Sequence, residues 1–139
     1  MNYEEYEMQC KQQQDKNNSY LEIFERDLME AGLTHKTISN HVDNVEFYIN
    51  DYLPREAPLE MQEGCGSKID MFLGCFFIHK CMWSTPGTIK TTAASIKKFY
   101  KCMNTHGYVS KEDYNYLCSI IKENMKIWQD DCAEFNNFD

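Results

Sequence analysis

The residues best suited to bind a metal ion are Cys75, His79 and Cys81. Thiolates and imidazoles are the usual ligands of zinc in proteins. On a helix, Cys75 and His79 share a face because they are four residues apart, whereas Cys81 lies about 200° around the helix axis from His79. One helical turn therefore cannot present all three side chains to a single ion, and no Cys-x-x-Cys-like pair elsewhere completes a site. We expect no structural metal, and two thiols and an imidazole packed within a buried helix instead.

Motifs for covalent catalysis or nucleotide binding are missing from the sequence. There is no Gly-x-Ser-x-Gly turn to carry a nucleophilic serine, and no cysteine and histidine lie in a recognisable catalytic pattern. The glycine patterns that cradle phosphate groups, Gly-x-x-x-x-Gly-Lys and Gly-x-Gly-x-x-Gly, are also missing. We therefore expect a protein that is not an enzyme and needs no cofactor.

A run of lysines has the spacing of one helix face. Its members fall at positions i, i+7, i+8 and i+11, and they are Lys90, Lys97, Lys98 and Lys101. Thr91 and Ser95 lie at the margin of that face, where their hydroxyl groups can donate hydrogen bonds to phosphate. Lysine contacts to phosphate supply affinity without sequence information. An ordinary solvated helix face has the same pattern, so charge alone favours neither interpretation.

The charge is unevenly distributed along the chain. The net charge of −8 argues at first against nucleic acid as a partner. Residues 1–66, however, hold five basic and fourteen acidic residues, whereas residues 67–126 hold nine basic and four acidic ones. Residues 127–139 add four acidic residues and no basic one. A basic segment therefore lies between two acidic ones.

Size and composition favour a single helical domain in a reducing compartment. The chain has 139 residues, of which 42% are hydrophobic, and its six glycines and three prolines lie mostly at expected breaks. The longest apolar stretch, residues 71–78, is far shorter than the roughly 20 residues of a membrane span. No secretory signal precedes the odd number of seven cysteines, so we expect free thiols that act as small hydrophobic residues, among them Cys75, Cys81, Cys102 and Cys118. We expect a cytoplasmic protein with no membrane contact.

Five segments combine helical periodicity with start and stop signals. The predicted helices cover about 19–31, 35–53, 68–82 and 86–104, with a fifth from the residue after Ser110 to Trp128. The predicted N-caps are Ser19, Thr34, Ser67, Thr85 and Ser110, and Gly32 and Gly107 are predicted to end helices. The sequence therefore predicts an all-α fold, a compact bundle of four to five helices.

The two ends of the chain are predicted to lie outside that bundle. Residues 1–18 are rich in Glu, Gln and Asn with little periodicity, which indicates a disordered or weakly helical acidic arm. Residues 19–129 form the predicted helical domain. Residues 130–139 form an acidic tail that we expect to fray.

Two segments resemble the SAM-like core-binding domain of tyrosine recombinases and phage integrases. In residues 32–53, Thr34 and Thr37 match the family's cap pattern, and His41 stands where an aromatic residue is usual. Residues 88–101, followed by Gly107-Tyr108-Val109, resemble the family's fourth helix and the turn after it. The similarity covers residues 19–127. The catalytic residues of the family have no counterpart, because the only arginines, Arg26 and Arg55, lie in unrelated contexts.

The resemblance implies a helical bundle that clamps duplex DNA without cutting it. In this family the second and fourth helices lie nearest the groove. The implied phosphate-contacting residues are Lys36 and Asn40 on the second helix and Lys90, Thr91, Lys97, Lys98 and Lys101 on the fourth. The alternative is a protein-interaction or regulatory module of the same fold that has lost DNA binding, which the overall acidity favours. The sequence leaves the oligomeric state open.

Overall fold

The computed structural model describes residues 2–137, and within that range the chain is all-helical with no strand. The all-α prediction is therefore confirmed. The chain divides into two compact units, Met1–Gly64 and Cys65–Asp139, where one domain had been expected. No helix in the described range combines the length and the apolar character that crossing a membrane requires.

The first unit contains two helices. Helix α1 spans Tyr3–Glu30, and α2 spans His35–Glu46 and continues into a wider π-type turn at Phe47–Tyr52. Short 3₁₀ turns follow at Leu53–Arg55 and Met61–Cys65. The Thr34 side chain accepts a hydrogen bond from the Thr37 amide, as expected of an N-cap, and Gly32 has a φ of 84° that favours glycine.

The predicted N-terminal arm is instead the first half of α1. The helix begins at Tyr3 with Asn2 as its N-cap, not at Ser19. Gln13 and Asn17 are buried in this half, and Lys16 forms an ion pair with Glu60 at 3.0 Å. The apolar pattern did not reveal the helix because its inward positions carry amides, whose burial depends on partners elsewhere in the chain.

A chain of four side-chain amides holds α1 against the π-type turn. The Gln13 amide donates to Asn17 Oδ1 at 2.9 Å, and Asn17 Nδ2 lies within 3.1 Å of the Ile49 carbonyl and 3.0 Å of Asn50 Oδ1. Asn50 in turn donates to Asn18 Oδ1 at 3.1 Å. A π-type turn displaces carbonyl groups from the regular helical pattern, and Asn17 supplies a donor to one of them.

The second unit contains three helices. Helix α3 runs through Ser67–Met71, a π-type turn at Phe72–Phe76 and a final segment at Phe77–Lys80. Helix α4 spans Pro86–Thr105 and α5 spans Lys111–Asn136, and α5 packs against both α3 and α4.

Two details of this unit differ from the prediction. Gly66, not Ser67, occupies the N-cap position of α3, and no side chain caps it. Helix α5 continues through the predicted acidic tail to Asn136 because that stretch has inward contacts. Cys132 is fully buried, and the Asn136 amide donates to the Ser84 carbonyl at 2.8 Å.

Gly74 allows Trp128 of α5 to lie against the π-type turn of α3. A Cβ atom at Gly74 would come within 2.8 Å of two atoms of the indole ring. The ring cannot easily move, because it is buried and its Nε1 donates to Asp70 Oδ1 at 2.7 Å. The crossing of α3 and α5 therefore requires a residue without a side chain at position 74.

We predict that Gly74→Ala lowers the free energy of unfolding of the second unit by about 1–3 kcal/mol, since an added methyl group overpacks the crossing. Urea unfolding followed by tryptophan emission measures this, because both tryptophans lie in that unit. Gly87→Ala is the control: a Cβ there meets only Thr85 Oγ1 at 3.7 Å, so stability should stay equal or rise. If Gly74→Ala and Gly87→Ala were equally stable, the crossing of α3 and α5 would not depend on the missing side chain at Gly74.

We predict that Asn17→Ala destabilises the first unit by about 3 kcal/mol, because buried groups of Gln13, Ile49 and Asn50 lose their partner together. Helical circular dichroism during urea unfolding measures the loss. Gln14→Ala, at an exposed position of the same helix, should change stability by less than about 0.5 kcal/mol. The network would have no structural role if the two variants unfolded alike.

Candidate nucleic-acid interface

Helix α4 is buried except along one narrow stripe. Thr85 caps it by accepting from the Thr88 amide, Thr88 reciprocates, and Pro86 occupies the first turn. Eight of its twenty residues are exposed, and at 100° per residue they span roughly 120° of the helix circumference. These residues, here called the lysine stripe, are Gly87, Lys90, Thr91, Ala94, Lys97, Lys98, Lys101 and Thr105.

All the charged residues of the lysine stripe are lysines. Helix α4 contains four lysines and no acidic residue. None of the four lysines forms an ion pair with a residue in the described range, whereas Lys126 of α5 pairs with Asp130 at 3.3 Å. The four ammonium groups are therefore solvated and available to an anionic partner. The structure places all five predicted residues of α4 together on this stripe.

The two hydroxyl groups predicted at the margin of this face differ in their accessibility. Thr91 is exposed, and its hydroxyl donates to the Thr88 carbonyl at 3.2 Å. Ser95 is only 1% exposed and donates to the Thr91 carbonyl at 3.1 Å. The expectation that Ser95 can reach phosphate is therefore wrong, because this position belongs to the buried face of α4.

The remaining predicted residues, Lys36 and Asn40, lie on α2 in the other unit. Both are exposed. Asp43 is exposed on the same face, seven residues after Lys36. This face therefore carries a positive and a negative charge. Glu25 and Asp43 also line a cleft of about 390 Å³ between α1 and α2. Helix α2 thus has no cationic surface comparable with that of α4.

The three residues considered as metal ligands do not face one another. Cys75 and His79 are exposed on α3, and His79 Nδ1 lies 2.7 Å from the Cys75 carbonyl oxygen. Cys81 is buried and has an extended backbone after the end of the helix. The expectation that Cys75 packs as a small hydrophobic residue is wrong, whereas Cys81 and Cys102 are buried as expected.

The buried thiols are poor nucleophiles. Burial, with smaller contributions from Asp113 and Cys118, raises the pKa of Cys65 to about 12, and burial also raises the pKa of Cys81. Because the thiolate is the reactive form, both side chains stay protonated and unreactive near neutral pH. All seven cysteines are free thiols.

The geometry thus defines a helical protein with one cationic helix stripe. No protein-family model, curated protein or solved structure matches the chain. The resemblance to the integrase core-binding domain rests on the residues of α2 and α4 and of the turn at Gly107. That turn has the expected geometry, since Gly107 has a φ of 85°.

We predict that the stability of the second unit falls as pH rises above about 9. An unfolded Cys65 thiol ionises near pH 9, whereas the folded one keeps its proton to about pH 12, so only the unfolded state releases this proton in between. Tyr114 adds to the decline, because burial raises its pKa from 10.0 to about 12. Urea unfolding at pH 8, 9.5 and 10.5 measures it.

Cys65→Ala should decline less steeply over the same pH range. Cys75→Ala, which replaces an exposed thiol, is the control variant. A wild-type stability that increases as the pH rises above 9 would contradict the raised pKa values of Cys65 and Tyr114.

Proposed function

We propose that this protein is a non-catalytic DNA-binding module of the integrase core-binding type, in which α4 contacts the phosphates of duplex DNA. The observation that carries the proposal is the lysine stripe: four lysines that form no ion pair with a described residue, no acidic residue on the helix, and the rest of the helix surface buried or half-buried. Four lysines without an acidic residue on the exposed face of a helix are unusual in a chain with a net charge of −8.

The dimensions of the lysine stripe suit a phosphate backbone. Lys90 and Lys101 are eleven residues apart, which corresponds to about 16 Å along the helix axis. One DNA strand presents a phosphate about every 3.4 Å of duplex axis, so the stripe spans several phosphates. Ala94 lies between the lysines, and its small side chain permits close approach of the helix. Contacts of this kind position a protein on DNA without reading its sequence.

The charge of the whole chain limits the affinity. The second unit carries nine lysines and eight acidic residues, whereas the first carries five basic and fourteen acidic ones. Acidic groups repel a phosphate backbone at long range, and salt screens this repulsion over about 10 Å at 0.1 M. No arginine is present in the second unit for bidentate contacts to guanine. We therefore expect the protein to bind duplex DNA weakly, with strong salt dependence and little sequence preference.

One observation favours the alternative, a protein-interaction or regulatory module. The face of α2 that holds Lys36 and Asn40 also holds Asp43, and the first unit is strongly acidic. A basic protein partner would suit that unit better than DNA would. The lysine stripe supports the DNA proposal, because its four exposed lysines suit an anionic partner.

We predict that duplex binding depends on the lysines of α4. Four phosphate contacts give a log–log salt slope of about −3.6, and each lysine removed flattens that slope by about 0.9. Lys97→Ala should weaken binding to all duplexes alike, because phosphate contacts are independent of sequence. Fluorescence anisotropy with labelled duplexes across a salt series measures both quantities.

Lys126→Ala is the matched control. It removes the same charge from the same unit, but its ammonium group is already paired with Asp130. Its salt slope should equal that of the wild type. The DNA proposal fails if the wild type binds no duplex at low salt, or if Lys97→Ala and Lys126→Ala bind alike.

A further inference from the structure

The cleft between α1 and α2, of about 390 Å³, is an open groove with an apolar strip. Three of its lining residues are apolar: Ile38 is buried, Val42 is half-buried, and Met29 is 56% exposed. Five of the seven residues that line the cleft are exposed, so it is not an enclosed cavity. The first unit therefore leaves apolar side chains accessible along the line where its two helices meet.

Acidic side chains accompany this apolar strip on both helices. Glu25 of α1 and Asp43 of α2 line the cleft, and both are exposed. Glu22 and Glu46, each three residues further along the same helix, add exposed carboxylates to the same helix faces. None of the four forms an ion pair with any residue that the structure describes, and no lysine or arginine lines the cleft. Their charges are therefore available to a cationic partner.

The charge and the openness of the cleft disfavour other kinds of partner. Residues 22–46 hold six acidic and two basic residues, and the first unit holds fourteen acidic and five basic ones. Such a surface repels DNA and anionic membranes. Pockets for small molecules bury most of the ligand's surface, which an open groove does not do.

A basic amphipathic helix suits both the apolar strip and the carboxylates. When a helix binds in a groove, apolar residues three to four positions apart on one face of it insert between the two helices that form the groove. Here those residues would contact Met29 and Val42, while flanking lysines or arginines would reach Glu25 and Asp43. Methionine adapts its shape to different apolar partners and is common at such surfaces. Long-range attraction between an acidic unit and a basic partner also speeds their encounter.

We propose that the cleft between α1 and α2 is a docking site for a basic amphipathic helix of a partner protein. The site belongs to the first unit and uses none of the lysines of α4, so it does not depend on DNA binding. The two units would then bind partners of opposite charge, a cationic helix at the first and phosphates at the second.

The test titrates the full chain with a synthetic helical peptide whose leucines recur every three to four residues and whose other residues are lysine and alanine. Anisotropy of the labelled peptide measures the affinity at 0.1 M salt, where charges more than about 10 Å apart are largely screened. Serine in place of leucine should weaken binding by about 10-fold or more, because burial of one leucine side chain contributes about that much. Glutamate in place of lysine should abolish binding.

Two pairs of substitutions separate the cleft from the general acidity of the unit. Glu25→Gln combined with Asp43→Asn should weaken peptide binding by about 2- to 30-fold, since each exposed ion pair contributes about 1.5- to 5-fold. Glu5→Gln combined with Asp15→Asn is the matched control, because it removes two charges from exposed positions of α1 outside the cleft. This control and Lys97→Ala should bind the peptide as the wild type does. Circular dichroism confirms that each variant is folded.

Methyl NMR of protein labelled with ¹³C-methyl methionine locates the bound peptide. The Met29 methyl signal, identified by its loss in Met29→Leu, should shift when the peptide binds. The Met8 signal should not shift, because Met8 lies about 30 Å away along the axis of α1, although it is also exposed.

Three results would overturn the inference, and none of them bears on DNA binding by α4. The first is that the leucine–lysine peptide does not bind at 0.1 M salt. The second is that the cleft variant and its matched control weaken binding equally, which would reduce the interaction to general charge attraction. The third is a Met29 signal that moves with protein concentration in the absence of peptide, together with self-association, which would assign the cleft to a second copy of this chain.

Discussion

The burial of α4 is the constraint on which the second unit depends. Its inward residues, among them Ile89, Ile96, Phe99 and Met103, have no exposed surface. Burying large apolar side chains of this kind stabilises a fold by about 1.5–3 kcal/mol each. A helix enclosed in this way exposes only a narrow stripe, so any charge it carries must lie there. The lysines are confined to one line by the same packing that holds the unit together.

Polar and steric constraints fix the other helices. Asn17 supplies a buried donor to the π-type turn after α2, and Gly74 supplies the space that Trp128 needs at the π-type turn of α3. In each unit, one residue thus allows a helix to pack against a π-type turn: Asn17 in the first unit and Gly74 in the second. Apolar burial alone would allow the packed helices to shift along each other. The contacts of Asn17 and Gly74 fix one register between the helix and the turn.

Much of the fold follows from local sequence signals. Thr34, Thr85 and Ser110 cap helices as predicted, and Gly32 and Gly107 adopt the left-handed conformation expected at helix ends. The ends of the chain could not be predicted in this way. Asn17 and Asn136 look like loop residues until their partners, Ile49 and Ser84, are known. The lysine stripe was predictable because it is periodic, whereas the cleft between α1 and α2 depends on how the two helices pack together.

The most direct measurement is lysine footprinting: acetylation of the full chain with and without duplex DNA at low salt, mapped by mass spectrometry. All the lysines of the stripe are exposed, as are Lys111, Lys122 and Lys126 on α5. Phosphate contacts through α4 predict slower modification of Lys90, Lys97, Lys98 and Lys101, with Lys111, Lys122 and Lys126 reacting as in the free protein. Uniform protection of all lysines, or protection limited to α5, would contradict a DNA-binding stripe on α4.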